Sequence, residues 1–327
     1  MGILYNTYRE IDCTSENGWN YMKLNNINKV AFIGAGIIGS GLAVNSMLSG
    51  YQTYLQTRSK TELMKQRVDE MLRFLVEEAV ITEEDAQAAL ERTVFTTSVE
   101  EACKDAGFIQ ESGPERTELK QALYEQIEAV CPPDAIICSS TTGLMPSELQ
   151  KFAQHPERIM VGHPYNPAFL LPLVEVCGGE KTTPENIERA MEFYRSIGKE
   201  PLLCRKEVYG FIVNRASWAV LNECKKNVFE GVCSAEDMDK ALMYGPGLRM
   251  AITGQLLTIS LGVGEGGLRA LAMKYKGGEC DEVSAAASDS VDEWMANRSP
   301  EEGNTYDEIN HYLNQKIVGV LRTMGKL

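Results

Sequence analysis

The chain has little histidine, no paired-cysteine motif, no long apolar run and no excess of positive charge. Each lack closes off a class of function. The three histidines, His155, His163 and His311, are too scattered to suggest metal ligation. Nine cysteines occur, yet none forms a C-x-x-C pair, and Cys138, Cys177 and Cys204 lie in strand-like runs. That usage fits reduced thiols in a cytoplasm rather than a disulfide framework or a zinc site. No apolar stretch approaches the length of a membrane span. The N-terminus has no basic segment followed by an apolar core, the mark of a secretory signal. A net charge of −14 makes nucleic acid and anionic membranes poor partners.

What is present is a chain of 327 residues, 44% hydrophobic and 24% charged. That is long enough for two domains and ordinary for a globular protein. Its most informative stretch runs from Lys29 through Val30, Ala31, Phe32 and Ile33 into Gly34-Ala35-Gly36-Ile37-Ile38-Gly39. An apolar strand enters a G-x-G-x-x-G turn, and the small apolar segment 40–48 follows as a helix. That order is what gives the motif its weight as a dinucleotide site. Gly34 permits the tight turn, Gly36 lets backbone N–H groups approach a pyrophosphate, and Gly39 lets the helix pack on the strand. Gly34, Gly36, Ile37, Ile38 and Gly39 are therefore candidate cofactor contacts.

Strands and helices alternate over the first two thirds. Strands are expected at 52–56, 93–95, 107–109, 135–138, 159–161, 173–176 and 201–204. Helices are expected at 60–78, 83–91, 118–130 and 185–197. Such alternation predicts an α/β fold, a Rossmann-type, doubly wound, mostly parallel sheet. After about Arg205 only helical patterns remain, at 212–229, 235–243, 250–261, 267–275, 283–297 and 300–324. The expected domains are an N-terminal extension at 1–26, a dinucleotide-binding domain at 27–205 and an all-helical domain at 206–327. Translation could also begin at Met22.

Two constellations carry chemistry. The second strand of such a fold normally ends in an acid that binds the ribose of NAD. Here it ends Gln56-Thr57-Arg58-Ser59-Lys60, with hydroxyls and cations in place of a carboxylate. Thr57, Arg58 and Ser59 suit a 2′-phosphate, so NADP is favoured over NAD. The other constellation is His163-Pro164-Tyr165-Asn166-Pro167, with Glu175 inside the apolar run Leu173-Val174-Glu175-Val176. His163 follows an apolar strand, where open α/β sheets bind ligands. A buried carboxylate needs a partner, and a histidine so paired is oriented as a proton acceptor.

The segment Gly162-His163-Pro164-Tyr165-Asn166-Pro167, the Leu-Val-Glu run and Tyr209-Gly210-Phe211-Ile212-Val213-Asn214-Arg215 resemble the 3-hydroxyacyl-CoA dehydrogenase superfamily from about Lys29 to about Ala272. The resemblance implies that His163 is the base and Glu175 its partner. It implies that Asn214 contacts the substrate and that Thr142, in Ser139-Ser140-Thr141-Thr142-Gly143, replaces a serine that hydrogen-bonds the reacting oxygen. Gln110-Glu111-Ser112-Gly113-Pro114-Glu115-Arg116 and the run from His163 to Glu175 are similar to carnitine 3-dehydrogenases in particular, and Glu111 is carried over as a cofactor contact. The chain departs from the pattern in lacking the ribose-binding acid and in carrying Asn214 where many carnitine enzymes have aspartate. The resemblance further implies a homodimer formed through the helical part.

The expected activity is oxidation of the 3-hydroxyl of a small 3-hydroxy acid, L-carnitine or a close relative, to the 3-keto acid. Arg249 and Arg269 are candidates for the substrate carboxylate. A trimethylammonium group suits aromatic faces or a carboxylate, and Tyr165, Phe169, Trp218 and Tyr244 are the aromatic candidates. An L-gulonate-like acid and an acyl-CoA remain alternatives, as does a purely structural, lambda-crystallin-like role. The acidic stretches Asp69-Glu70, Glu77-Glu78 and Glu83-Glu84-Asp85 speak against a polyphosphate such as CoA. A purely structural role would have no use for a base and its orienter.

Overall fold

The structure is a computed structural model that describes Tyr21 and residues 23–59, 61–275 and 277–327. Most of the expected N-terminal extension, the alternative start Met22, and Lys60 lie outside the described residues. The described residues divide into two compact units, one ending at Trp218 and the other beginning at Ala219.

The first unit is built on one eight-stranded sheet of order β3-β2-β1-β4-β5-β6-β7-β8. The strands are β1 Lys29–Ile33, β2 Gln52–Gln56, β3 Thr93–Thr96, β4 Phe108–Glu111, β5 Ile136–Ser139, β6 Ile159–Pro164, β7 Leu173–Gly178 and β8 Glu200–Leu203. Its helices are α1 Ile37–Leu48, α2 Thr61–Glu77, α3 Glu83–Glu91, α4 Val99–Cys103, α5 Thr117–Glu128, α6 Pro146–Leu149 and α7 Pro184–Ser196. Strands β1, β4, β5 and β6 are buried at every position. A parallel sheet with both faces covered demands such apolar runs. Alternate residues serve opposite faces: Val30 and Phe32 join a core with α1, α2 and α7, while Ala31 and Ile33 join one with α4 and α5.

All neighbouring strands run parallel except β6 and β7, which are antiparallel. The segment between them, residues 165–172, is too short for the crossover helix that a parallel pair needs. This reversal sets His163 directly opposite Glu175. Gly162 fits under Tyr194, whose Oη would lie 1.9 Å from an added Cβ.

The helical pattern after Arg205 begins with α8 Val213–Phe229, whose first turns belong to the first unit. Residues 206–212 are also held there. Val208 and Phe211 pack in the core beneath the sheet, and Glu207 accepts the Ser147 N–H at 2.6 Å. The second unit continues with α9 Ala235–Leu242, α10 Leu248–Thr253, α11 Gln255–Val263, α12 Gly267–Tyr275, α13 Glu282–Ala296 and α14 Tyr306–Thr323. Its own core joins Leu257 and Leu261 to Val291, Met295, Ile309 and Leu313. The helix expected at 250–261 is broken at Gly254, which adopts φ +71°, a conformation that ends helices and favours glycine. The helix expected from 300 starts instead at Tyr306, where Thr305 and Glu308 form a capping box that satisfies the first backbone donors. Among the described residues no single helix is long and apolar enough to cross a membrane.

Candidate active site

The carboxyl ends of β1, β4, β5 and β6 lie side by side in the sheet, and the candidate residues follow them. Gly34 has φ +85°, and a Cβ there would meet the backbone of Ser112 at 2.8 Å. A Cβ on Gly39 would meet the Gly34 carbonyl oxygen at 2.9 Å. Gly36 differs, with nothing within 4 Å of an added Cβ. No side chain caps α1, and Ile37 at its start is 60% exposed. Tight packing behind the turn and open space before it are what a pyrophosphate needs, with free helix N–H groups facing the anion. The residues present therefore fit a dinucleotide.

From this turn a polar chain crosses the sheet. Ser112 Oγ lies 2.7 Å from Ser140 Oγ, Gln110 Nε2 donates to Ser140 Oγ at 2.8 Å and to the Gly162 carbonyl at 3.0 Å, and Tyr194 Oη donates to Gln110 Oε1 at 2.6 Å. It ties the glycine turn to the strand that carries His163.

His163 and Glu175 are both buried, with Nδ1 of the ring 2.8 Å from Oε2 of the carboxylate. An ionised carboxylate only accepts, so Nδ1 donates to it and Nε2 is the ring nitrogen left for a substrate. The other oxygen of Glu175 accepts the backbone N–H groups of Ile212 and Val213 at 2.7 and 2.8 Å, at the start of α8. Burial alone would raise the Glu175 pKa. The hydrogen bonds from His163, Val213 and Ile212, with the histidine charge, outweigh it and hold the carboxyl below its ordinary value. The turn that aims these N–H groups needs two left-handed residues, Gly210 at φ +79° and Phe211 at φ +47°. For Phe211 that conformation costs roughly 1–2 kcal/mol. Its ring is fully buried, 5.8 Å from that of His163.

The loop after β5 brings Thr142 to the same end of the sheet, with Thr142 exposed. Glu115, which the sequence reading left without a role, organises this loop. Its Oε1 accepts from Thr142 N at 2.9 Å, Thr142 Oγ1 at 3.2 Å and Gly143 N at 3.3 Å, and also from the Thr141 hydroxyl. Lys120 lies 3.9 Å from the other oxygen of Glu115. Glu115 sits in a loop 27 residues before Thr142, and no local pattern marks that contact. Asn214, half-buried, lies in the first turn of α8 beside the N–H groups that hold Glu175.

Residues 29–208 match the model of the 3-hydroxyacyl-CoA dehydrogenase NAD binding domain, and residues 210–303 match that of the 3-hydroxyacyl-CoA dehydrogenase C-terminal domain. The chain belongs to the 3-hydroxyacyl-CoA dehydrogenase family. It is 37% identical over 312 residues to an L-carnitine dehydrogenase of Pseudomonas sp, covering 92% of this chain and 95% of that one. It is 40% identical over 253 residues to an L-carnitine dehydrogenase of Burkholderia mallei, covering 76% and 77%. Among solved structures, 3-hydroxybutyryl-CoA dehydrogenase from Escherichia coli is similar, with a TM-score of 0.62 and 28% identity over 80% of this chain and 56% of that one. This family member is thus an oxidoreductase of CH–OH groups that uses a nicotinamide dinucleotide.

Other residues singled out in the sequence take different places. Glu111 does not open toward a cofactor. It is fully buried, and its oxygens accept from Lys120 Nζ at 2.8 and 2.9 Å, Gly113 N at 2.6 Å, Ser139 Oγ at 2.7 Å and Tyr124 Oη at 3.0 Å. Its work is to brace the turn after β4. Phe169 packs edge-to-face on Phe74, 5.9 Å between centroids, and adjoins the core beside α1, a packing role rather than an open cage. Tyr165 is half-buried, its N–H bonded to the Leu173 carbonyl at 3.1 Å. Thr57 is half-buried at the end of β2, and Arg58 and Ser59 are exposed. In the second unit Arg269 is engaged by Asp289 on α13, while Arg249 is exposed on α10.

Proposed function

We propose that this chain oxidises L-carnitine to its 3-keto acid. The observation that carries the reading is the buried His163–Glu175 pair anchored on the start of α8, in a chain resembling L-carnitine dehydrogenases over most of its length. When bound, the nicotinamide supplies the hydride acceptor for the carbinol C–H. His163 Nε2 takes the hydroxyl proton as the C–O bond becomes a carbonyl. Glu175 keeps the ring in the required tautomer and balances the imidazolium charge. Asn214 and Thr142 hold the oxygen that becomes the carbonyl: the Thr142 backbone N–H stays on Glu115 while its hydroxyl turns from Glu115 to donate to that oxygen. Gly34, Gly36, Ile37, Ile38 and Gly39 cradle the pyrophosphate.

NADP is the proposed dinucleotide. The exposed Arg58 and Ser59 at the end of β2, where no acid stands, support it. Of the two arginine candidates, Arg269 already has Asp289, while Arg249 is exposed on α10. The acidic residues exposed on α2 and α3, Asp69, Glu70, Glu77, Glu83, Glu84 and Asp85, weigh against CoA. A homodimer is proposed through the helical unit, because α8 exposes Val220, Leu221, Val228 and Phe229, the last at 91%, an apolar run of the kind that marks an interface.

The test is reduction of NADP+ and NAD+ in parallel with L-carnitine, D-carnitine, L-gulonate and 3-hydroxybutyryl-CoA at alkaline pH. Turnover of L-carnitine with the highest kcat/KM is expected. Preference for the CoA ester would overturn the reading.

A further inference from the structure

In carnitine a single methylene separates the reacting carbon from the trimethylammonium nitrogen. Whatever recognises the cation must adjoin the groups that hold the oxygen. Two aromatic residues do. Tyr209 lies across Gly143, its Cε2 2.8 Å from where a Cβ would stand, and Gly143 follows Thr142 on the loop that Glu115 holds. Trp218 lies four residues after Asn214 on α8, hence one turn along the same face. Its ring lies over Gly210, 2.5 Å from an added Cβ. The two rings meet at 5.6 Å between centroids, tilted by 33°. Glycine at 143 and 210 is what lets both approach the backbone.

Tyr209 is 69% exposed and Trp218 38%, and neither belongs to a core cluster. Among the described residues no lysine or arginine lies over either ring. Large aromatic faces left open beside reacting-oxygen donors suit a cation that cannot donate hydrogen bonds. The Glu115 carboxylate, bonded to the Gly143 N–H, adds negative charge to the loop that Tyr209 crosses.

We propose that the Tyr209–Trp218 pair is the surface against which the substrate's quaternary ammonium packs. The proposal rests on the carnitine reading above and assigns that substrate a cation subsite.

The experiment compares L-carnitine with its carbon isostere, 3-hydroxy-5,5-dimethylhexanoate, whose tert-butyl head carries no charge, in Tyr209→Leu and Trp218→Leu. Each is expected to raise KM for L-carnitine roughly 3- to 30-fold more than for the isostere, with dinucleotide affinity and melting temperature retained. Tyr209→Phe and Trp218→Phe should restore most of the difference. Equal rises for both substrates, or none, would overturn the proposal. Tetramethylammonium, titrated by tryptophan fluorescence, separates this from the substrate reading. If the wild type leaves L-carnitine untouched, that reading fails alone. Saturable tetramethylammonium binding lost in Tyr209→Leu, which keeps Trp218 as the reporter, would then still support the pair, and no binding would overturn it.

Discussion

Replacing Glu175 by glutamine keeps the shape of the side chain and removes what it does. The carboxylate offers one oxygen to His163 Nδ1 at 2.8 Å and the other to two backbone N–H groups at 2.7 and 2.8 Å. Glutamine has one accepting oxygen and an NH2 group that only donates. If the oxygen faces α8, the NH2 faces Nδ1 and forces the proton onto Nε2, the wrong tautomer for a base. If it faces His163, two partly buried N–H groups lose their acceptor, at up to about 1–3 kcal/mol each. In either orientation the imidazolium loses its counter-charge. The expected result is a fall in kcat of roughly 10²- to 10⁴-fold, with dinucleotide affinity unchanged. Steady-state kinetics, with dinucleotide binding by fluorescence, measures both. A variant within threefold of wild type would refute the pairing.

Lys199 donates to the carbonyls of Ala168 and Leu171, the latter at 3.1 Å, and burial lowers its pKa from 10.5 to about 8. Between those values the unfolded chain holds a proton that the native state lacks, so stability rises with pH across that window, by up to about 1.4 kcal/mol per unit. Chemical denaturation should show this rise in the wild type and a flatter profile in Lys199→Met; equal slopes would refute it. Arg58→Ala should weaken NADP+ binding by roughly tenfold or more, the value of a charged hydrogen bond of about 1.5–3 kcal/mol, and leave NAD+ binding unchanged by titration calorimetry. Gly36→Ala should leave the melting temperature unchanged, since its Cβ meets nothing within 4 Å and its φ of −75° suits alanine. The same variant should lose dinucleotide affinity roughly tenfold or more, because the methyl stands where the pyrophosphate approaches.

Much of this was legible in the residues. Strand β2 falls on 52–56, the stretch expected after the glycine turn and its helix, and the glycine turn follows β1 because only glycine accepts the contacts at positions 34 and 39. The pairing of His163 with Glu175 could be inferred because an apolar strand will not bury a lone carboxylate. The reversal of β7 was less plain, since alternation alone suggests parallel strands, although the short 165–172 segment could have signalled it. The break at Gly254 and the start at Tyr306 carried local signals, a glycine and a T-x-x-E box, that helical periodicity masked. Glu111 and Glu115 were not separable by pattern. One ends β4 and the other follows it by four residues, and only tertiary packing buries the first on Lys120 and turns the second to Thr142. The Tyr209–Trp218 pair is likewise a product of how Gly143 and Gly210 admit rings from separate segments.

The account stands most directly on the proton acceptor. The decisive measurement is nicotinamide absorbance with L-carnitine and NADP+ or NAD+, for wild type and His163→Ala side by side, with dinucleotide binding measured on both. The account predicts carnitine-dependent reduction by the wild type, a loss of roughly 10²- to 10⁴-fold in the variant and equal dinucleotide affinity. Equal turnover by the two proteins, or no reduction by a wild type that binds the dinucleotide, would contradict it.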